Sequence, residues 1–221
     1  MANESEVFID VVEGGITISG TLAIPDNPIG VILFAHGSGS SRFSPRNNAV
    51  ASQLRSEAMA TLLIDLLTPR EAVNYENRFN IDLLAERLDL VAEWVFHDPR
   101  LISLSLALFG ASTGAAAALI VAAKRAKGIN PIFSVVSRGG RPDLVSKDLL
   151  AQVESPTLLL VGGLDSQVID LNQYAYSCLT CIKKLEIISG AGHLFEEPGT
   201  LEQVSDHATQ WFSSYFKESR I

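Results

Sequence analysis

The sequence predicts an α/β fold, a mainly parallel sheet of about seven to eight strands with helices on both faces. Short apolar runs such as Gly30–Ala35 alternate along the chain with stretches of helical periodicity, of which Ile81–Val95 is the clearest. A wholly apolar run is typical of a strand buried on both faces, and its alternation with helices is typical of parallel sheets. The chain has 221 residues, 47% of them hydrophobic, which fits one domain spanning residues 1–221.

The N-terminal part of the chain predicts an antiparallel hairpin, because the β-rich runs Val7–Val12 and Ile16–Ile24 flank Glu13-Gly14-Gly15. The other predicted strands are, in chain order, Gly30–Ala35, Thr61–Leu67, Leu104–Phe109, Ile132–Ser137, Thr157–Val161 and Lys184–Ile188.

Helices are predicted between these strands. They cover Pro45 to about Glu57, Ile81–Val95, Ala115–Ala123, Asp143–Gln152, Leu171–Leu179 and a final helix that begins at Thr200. Gln203 lies three residues after Thr200, the spacing of a capping box. Only the short helix near Asp143–Gln152 fits between its neighbouring strands, so no cap domain is expected.

Composition argues against several classes of function. The net charge is −8, whereas a nucleic-acid-binding face is basic, so no nucleic-acid partner is expected. No apolar run approaches the length of a membrane span, and the acidic segment 1–6 lacks the apolar core of a signal peptide. We therefore expect a cytoplasmic protein with no membrane partner.

The chain has two cysteines, Cys178 and Cys181, with the spacing C-x-x-C. This spacing occurs in thioredoxin-like redox pairs and in half of a zinc site, although the second half of such a site is absent from the sequence. The simpler interpretation is two small residues on or beside the helix Leu171–Leu179.

The most informative motif is Gly110-Ala111-Ser112-Thr113-Gly114, which follows an apolar strand and precedes an alanine-rich helix. In this setting the pattern Gly-x-Ser-x-Gly forces the serine into a strained turn and presents its hydroxyl at a helix N-terminus. Ser112 is therefore predicted to be a nucleophile. The alternative is an ordinary helix N-cap.

A serine nucleophile needs a base, and the base needs an acid to orient it. Asp165 follows the strand Thr157–Val161, and His193 lies in the glycine-rich segment Ser189-Gly190-Ala191-Gly192-His193 after the last strand. Serine, aspartate and histidine thus occur in a chain order known for serine hydrolases. A helix cap at Asp165 and a surface loop at His193 are the alternatives, and Asp170 is the nearest competing acid.

Stabilisation of an oxyanion needs two N–H donors. The backbone N–H of Thr113 is predicted as one donor because it follows the nucleophile. The second is expected from the loop His36-Gly37-Ser38-Gly39-Ser40-Ser41, with the Ser38 N–H preferred and Gly37 as the alternative. His36 itself is interpreted as a residue that orders this loop.

Arginines follow the predicted strands at several positions. Arg42 and Arg46 come after the loop that holds Gly37, and Arg138 follows the strand Ile132–Ser137. A guanidinium can bind a carboxylate or a phosphate bidentately. Arg42, Arg46 and Arg138, with Gly37, are therefore candidates for binding an anionic substrate; salt bridges or exposure to solvent remain the alternative.

On these motifs the chain resembles the α/β-hydrolases of the dienelactone-hydrolase-like group over nearly its whole length. The segments His36-Gly37-Ser38-Gly39-Ser40-Ser41-Arg42 and Ser44-Pro45-Arg46-Asn47 resemble a subgroup of small hydrolases also found fused or adjacent to phosphoribosyltransferase domains. The resemblance implies hydrolysis of carboxylic esters or lactones by a serine triad without cofactor or metal. One departure is that dienelactone hydrolases carry a cysteine nucleophile where this chain has Ser112, so dienelactone itself is not the expected substrate.

The expected partner is a small-molecule ester, with an anionic group on it as a hypothesis, and a homodimer is left open. A thioesterase, an acyltransferase or a peptidase would use the same triad. A non-catalytic binding module on a hydrolase scaffold is an alternative of another class.

Overall fold

The computed structural model describes residues 2–12 and 15–218. All of its strands join one sheet in the order β1-β2-β4-β3-β5-β6-β7-β8. The strands are β1 (Asn3–Val12), β2 (Ile16–Ile24), β3 (Gly30–Ala35), β4 (Met59–Ile64), β5 (Leu106–Ala111), β6 (Val135–Arg138), β7 (Thr157–Gly162) and β8 (Lys183–Ile188).

The predicted fold class is confirmed. β1 and β2 form the antiparallel hairpin, β2 pairs antiparallel with β4, and every later pairing, from β4–β3 to β7–β8, is parallel. Of the turn predicted at Glu13-Gly14-Gly15, Glu13 and Gly14 lie outside the described residues.

Helices cover both faces of the sheet. They are α1 (Pro45–Ser56), α2 (Pro69–Val73), α3 (Ile81–His97), α4 (Thr113–Arg125), α5 (Lys147–Leu150), α6 (Ser166–Cys178) and α7 (Thr200–Glu218), with 3-10 turns at Tyr75–Phe79 and Pro142–Leu144. None of the helices in this described part of the chain combines the length and the hydrophobicity that a membrane span requires.

Two apolar clusters, one on each face, hold these layers together. Helices α1 and α7 pack on the face that includes Phe34, Phe109 and Val136, whereas α3 and α4 pack on the face that includes Leu33 and Leu108. Successive strand residues point to opposite faces, so the wholly apolar strands serve both clusters.

Residues 139–156 connect β6 and β7 with only a 3-10 turn and the four-residue α5. No cap domain is inserted at this point, as predicted, and the carboxyl edge of the sheet therefore stays open above the parallel strands.

The ends of β4 and β6 are among the element boundaries that differ from the prediction. β4 ends at Ile64 rather than Leu67. The Asp65 N–H still donates to Ser19 O of β2, but the Leu66 N–H donates to the side chain of His36 at Nε2. β6 includes Arg138 as its last residue and pairs it with Ala111 and Leu160.

The capping box predicted at the start of the last helix is wrong. The Gln203 side-chain amide donates to the Gly199 carbonyl at 3.1 Å, and the Thr200 hydroxyl donates to the Glu197 carbonyl at 2.7 Å. Thr200 is thus the first helical residue, and its side chain ties the helix to the preceding loop.

Candidate active site

The candidate site lies where parallel strands end at the carboxyl edge of the sheet. β3, β5 and β7 run into His36-Gly37, Ser112 and Gly163-Leu164-Asp165, and the loop after β8 carries His193. Because these strands are parallel, the topology brings all four segments to one edge, where ligands of open α/β sheets bind.

The turn at Ser112 has the strained geometry that the motif predicts. Ser112 has φ 51° and ψ −120°, a conformation that non-glycine residues rarely adopt. A Cβ on Gly110 would lie 2.4 Å from Ala115 Cα, and a Cβ on Gly114 would lie 2.2 Å from Ala35 O. The two glycines therefore permit strand β5, helix α4 and the β3 loop to pass at backbone contact.

Ser112 is not an ordinary helix cap. It occupies the N-cap position of α4, but its hydroxyl makes no capping hydrogen bond. Its backbone N–H donates to Arg138 O at 3.1 Å and its carbonyl accepts from Arg141 N–H at 3.2 Å. The backbone is thus held by β6 and by the segment that follows it, while the side chain makes no bond to the helix.

Asp165 and His193 form a hydrogen-bonded pair, with 2.7 Å between His193 Nδ1 and Asp165 Oδ2. Asp165 is at the N-cap position of α6 but makes no side-chain capping bond, so its carboxylate serves the histidine instead. A carboxylate accepts only, so Nδ1 carries the proton and Nε2 is left as the acceptor. The competing Asp170 lies exposed within α6.

Backbone contacts bring His193 to the side of the serine turn. A Cβ on Gly139 would lie 3.6 Å from His193 Cε1, and Gly139 directly follows Arg138, whose carbonyl holds the Ser112 N–H. A Cβ on Gly162 would lie 2.5 Å from both Ala191 O and Gly192 O. The loops of Asp165 and His193 therefore meet at Gly162, and the His193 loop meets the segment after β6 at Gly139.

Sequence reasoning missed the residue that anchors the histidine loop. The Gly192 N–H donates to Glu197 Oε2 at 3.0 Å, and this bond lowers the pKa of the Glu197 carboxyl below its usual range. An acidic pair, Glu196-Glu197, follows His193 closely in the sequence and was the available signal.

The predicted oxyanion donors lie on two segments in contact. A Cβ on Gly37 would be 3.0 Å from Ser112 Cβ, so the loop after β3 lies against Ser112. Within residues 2–12 and 15–218, neither the Ser38 N–H nor the Thr113 N–H donates to an acceptor. Both are therefore available to a developing negative charge.

His36 orders this loop through both ring nitrogens. Nδ1 lies 2.8 Å from Gly37 O, and Nε2 accepts from the Leu66 N–H at 3.1 Å, so Nδ1 donates and the ring is neutral. Desolvation by burial lowers the pKa of His36 below its ordinary value, against weaker opposing effects of Gly37 O and Asp65.

This assignment predicts an acid-sensitive fold. The unfolded chain takes up a proton near the ordinary histidine pKa of about 6.5, whereas folded His36 resists protonation to lower pH. The free energy of unfolding should therefore be highest above about pH 6.5 and fall as the pH drops below it.

Urea unfolding at about pH 7.5 and about pH 5.5 measures the effect, with His36→Asn as the test variant and His97→Gln, at an exposed helix end, as the control. If wild type and His36→Asn lose the same free energy over this range, His36 is not the source of the acid sensitivity.

The three candidate arginines differ in their partners. Arg42 is held by the carboxylates of Asp65 and, at 2.6 Å, Glu6. Arg46 Nη1 contacts Glu196 Oε1 at 2.8 Å. Arg138 is buried, and none of the described residues pairs with its guanidinium. Of the three, Arg42 is thus neutralised by carboxylates of the protein, whereas Arg138 is not.

Comparison with known proteins places this arrangement in a family. No protein-family model matches the sequence. A crystal structure of dienelactone hydrolase from Anabaena variabilis is 47% identical, with a TM-score of 0.91 over 97% of this chain and 98% of that chain. The chain belongs to the dienelactone hydrolase family. Est1E from Butyrivibrio proteoclasticus, at 15% identity, TM-score 0.80 and coverage of 96% and 99%, shows the same fold.

Two curated relatives in Mycobacterium tuberculosis, one in each of two strains, carry the provisional name phosphoribosyl transferase. Each is 50% identical to this dienelactone hydrolase family member over 204 residues. The match covers 92% of this chain but 45% of the relatives, so the chain spans less than half of their length.

A cavity of about 330 Å³ adjoins the loop after β3 in this dienelactone hydrolase family member. Gly37 and Ser38 line it together with Leu66, Leu67 and Ala72. Gly37 also lies against Ser112, so this one residue adjoins both the cavity and Ser112. The size of the cavity is at the lower end of the range for ligand pockets.

The two cysteines lie apart from this site. Both are free, and Cys178 is buried as the last residue of α6. Burial raises the pKa of the Cys181 thiol, which lies 3.8 Å from Thr157 Oγ1. A reactive or metal-binding cysteine needs a lowered thiol pKa, so the structure favours packing residues over a redox pair.

Proposed function

We propose that the chain is a serine hydrolase that cleaves small carboxylic esters or lactones through Ser112, His193 and Asp165. The observation that carries this proposal is the combination of a strained, uncapped Ser112 with an Asp165–His193 hydrogen bond at the same sheet edge. Membership of the dienelactone hydrolase family supports the same reaction class.

In the proposed mechanism Ser112 Oγ attacks the substrate carbonyl while His193 Nε2 takes the hydroxyl proton. Asp165 keeps the Nδ1–H tautomer and stabilises the imidazolium that forms. The N–H groups of Thr113 and Ser38 bind the tetrahedral oxyanion. His193 then protonates the leaving alcohol, and a water activated by the same histidine hydrolyses the acyl-enzyme and restores Ser112.

Two features favour water as the acceptor and a small substrate. The His193 side chain is 39% exposed, so water reaches the base without any opening of the structure. The short β6–β7 connection adds no lid, and the cavity beside Gly37, of about 330 Å³, is at the lower end of the range for ligand pockets. Long-chain lipid esters, which need a deep apolar tunnel, are not the proposed substrates.

The transferase name of the curated relatives belongs to proteins more than twice as long as the matched segment. We propose that this name refers to the part of those relatives that this chain does not match, because this chain has the fold of a dienelactone hydrolase over nearly its whole length. Assays of this chain with phosphoribosyl pyrophosphate and a nucleobase should then release no pyrophosphate.

Labelling with a fluorophosphonate probe tests the proposal. Folded wild-type protein should be labelled, Ser112→Ala should not, and the control Ser40→Ala, in the neighbouring loop, should be labelled like the wild type. A folded wild type that resists labelling would indicate a binding module instead. If labelling persists in Ser112→Ala, another residue is the nucleophile. A panel of esters, thioesters and peptides then separates the acyl-transfer alternatives.

A further inference from the structure

Arg138 is a buried cation without a counterion. Arg138 is 8% exposed, and its Nη1 atom is buried without a hydrogen-bond partner. No carboxylate or other acceptor in residues 2–12 and 15–218 binds its guanidinium. Arg87 provides a comparison within the same chain: it is 6% exposed, and Glu71 and Glu86 bind it at 2.8 Å and 2.9 Å. Burial of an arginine in this fold is thus otherwise accompanied by carboxylates.

A buried charge without a partner destabilises a protein, so such a residue needs a reason outside folding. Arg46 adds to the positive charge here rather than relieving it. Burial and the charge of Arg46 lower the pKa of Arg138 to about 10, which still leaves the guanidinium protonated at neutral pH.

Arg138 lies next to Ser112 at the edge of the sheet, so this charged residue is close to the proposed nucleophile. Arg138 ends β6, and its carbonyl accepts the Ser112 N–H at 3.1 Å. Its side chain shares a face with Val136, which belongs to the apolar cluster under α1 and α7. The guanidinium is therefore directed toward the first turn of α1, where Arg46 lies.

Arg46 completes the arrangement from the other side. Its Nη1 is bound by Glu196, three residues after His193, while its Nε is buried without a partner. The two arginines thus lie between the start of α1 and the loop of the catalytic base. Glu196 compensates part of the charge of Arg46 and none of the described residues compensates that of Arg138.

We propose that Arg138, assisted by Arg46, binds an anionic group of the substrate, a carboxylate or a phosphate, while Ser112 attacks the ester carbonyl. The planar guanidinium can take such a group through two parallel hydrogen bonds, which also fixes its orientation. This inference rests on the proposed function. It names the substrate class as small esters that carry a negative charge.

A matched pair of esters tests the proposal. 4-Nitrophenyl valerate and mono-4-nitrophenyl glutarate share the length of their acyl chain, and the second adds a terminal carboxylate. Arg138→Met should lower kcat/KM for the glutarate ester by about tenfold to 100-fold, the effect of a lost charged hydrogen bond. The valerate ester should change less than about threefold, because it carries no charged group that the guanidinium could bind.

Two further variants sharpen the test. Arg138→Lys keeps the charge but not the planar fork, so an intermediate loss is expected for the glutarate ester alone. Arg141→Met removes one positive charge three residues along, from a half-exposed residue bound to Asp143, and should leave the ratio of the two esters unchanged. An unchanged ratio in Arg138→Met overturns the proposal, as does an equal change in Arg141→Met.

A binding measurement separates this proposal from the hydrolase assignment. In a Ser112→Ala background, inorganic phosphate or glutarate should raise Tm, and addition of Arg138→Met should abolish the increase. If wild type cleaves neither ester, the proposed function fails and this measurement still decides the anion site. The anion site is overturned if neither anion raises Tm. It is also overturned if Tm rises equally in Ser112→Ala and in the double variant that adds Arg138→Met.

The stability of the ligand-free protein provides a last readout. Met fills similar volume without a charge, so Arg138→Met should raise Tm in the absence of anions. A structural arginine behaves in the opposite way. A lowered Tm with an unchanged ester ratio would assign Arg138 to the fold and overturn the proposal.

Discussion

Replacing Ser112 with alanine should lower kcat for a small neutral ester by about 10⁶-fold, the loss seen when a serine nucleophile is removed from a complete triad. The proposed mechanism passes through a covalent bond to Ser112 Oγ, and the other hydroxyl of this turn, that of Thr113, is buried. The remaining rate should come from the Thr113 and Ser38 N–H groups, which still polarise the carbonyl. Steady-state hydrolysis of 4-nitrophenyl acetate by wild type and variant measures the effect.

The control for this variant is its fold. Alanine keeps the Cβ of Ser112 and so keeps the strain of φ 51°, and the serine hydroxyl makes no capping bond that the variant would lose. Thermal unfolding of Ser112→Ala should therefore match that of wild type. A folded variant that retains more than about one thousandth of the wild-type rate would mean that the reaction does not pass through Ser112.

The sheet was predictable because its strands are buried on both faces. Runs such as Gly30–Ala35 have to be apolar at every position, since alternate residues serve the clusters on opposite faces of the sheet. Strand ends were less predictable. β4 stops at Ile64 although Leu66 and Leu67 are apolar, because His36, far away in sequence, accepts the Leu66 N–H.

The positions of the proposed triad also followed from local patterns. Ser112, Asp165 and His193 each follow a strand, and parallel strands bring such residues to one edge regardless of loop details. The partners of the arginines did not follow. Arg46 and Glu196 lie 150 positions apart, and no periodicity links them, so their pairing depends on how two loops meet.

Arg138 is distinguished from the other two candidate arginines only by its surroundings in the structure. The sequence offered Arg42, Arg46 and Arg138 as equivalent candidates after strands. Asp65 and Glu6 form salt bridges with Arg42, and Glu196 forms one with Nη1 of Arg46. Arg138 has no counterion among the described residues. What sets Arg138 apart is that no carboxylate of the described residues lies next to its guanidinium. Which distant residues come close to an arginine cannot be read from the residues beside it in the sequence.

Replacing Asp165 with asparagine should lower kcat by about 10⁴-fold while leaving the fold intact, as expected when the orienting acid of a triad becomes an amide. The carboxylate only accepts, so it selects the His193 tautomer with the proton on Nδ1. An amide can present its NH2 group to Nδ1 instead. The proton then lies on Nε2, and the base that faces Ser112 is lost.

Asp170→Asn is the matched control, because it makes the same chemical change five positions along, at an exposed residue of α6. Asp165 makes no side-chain cap to α6, so neither variant should shorten that helix, and circular dichroism should be unchanged in both. Hydrolysis should therefore fall in Asp165→Asn alone. Equal rates in the two variants would mean that His193 is oriented without Asp165, and a loss confined to Asp170→Asn would transfer the role of the acid to that residue.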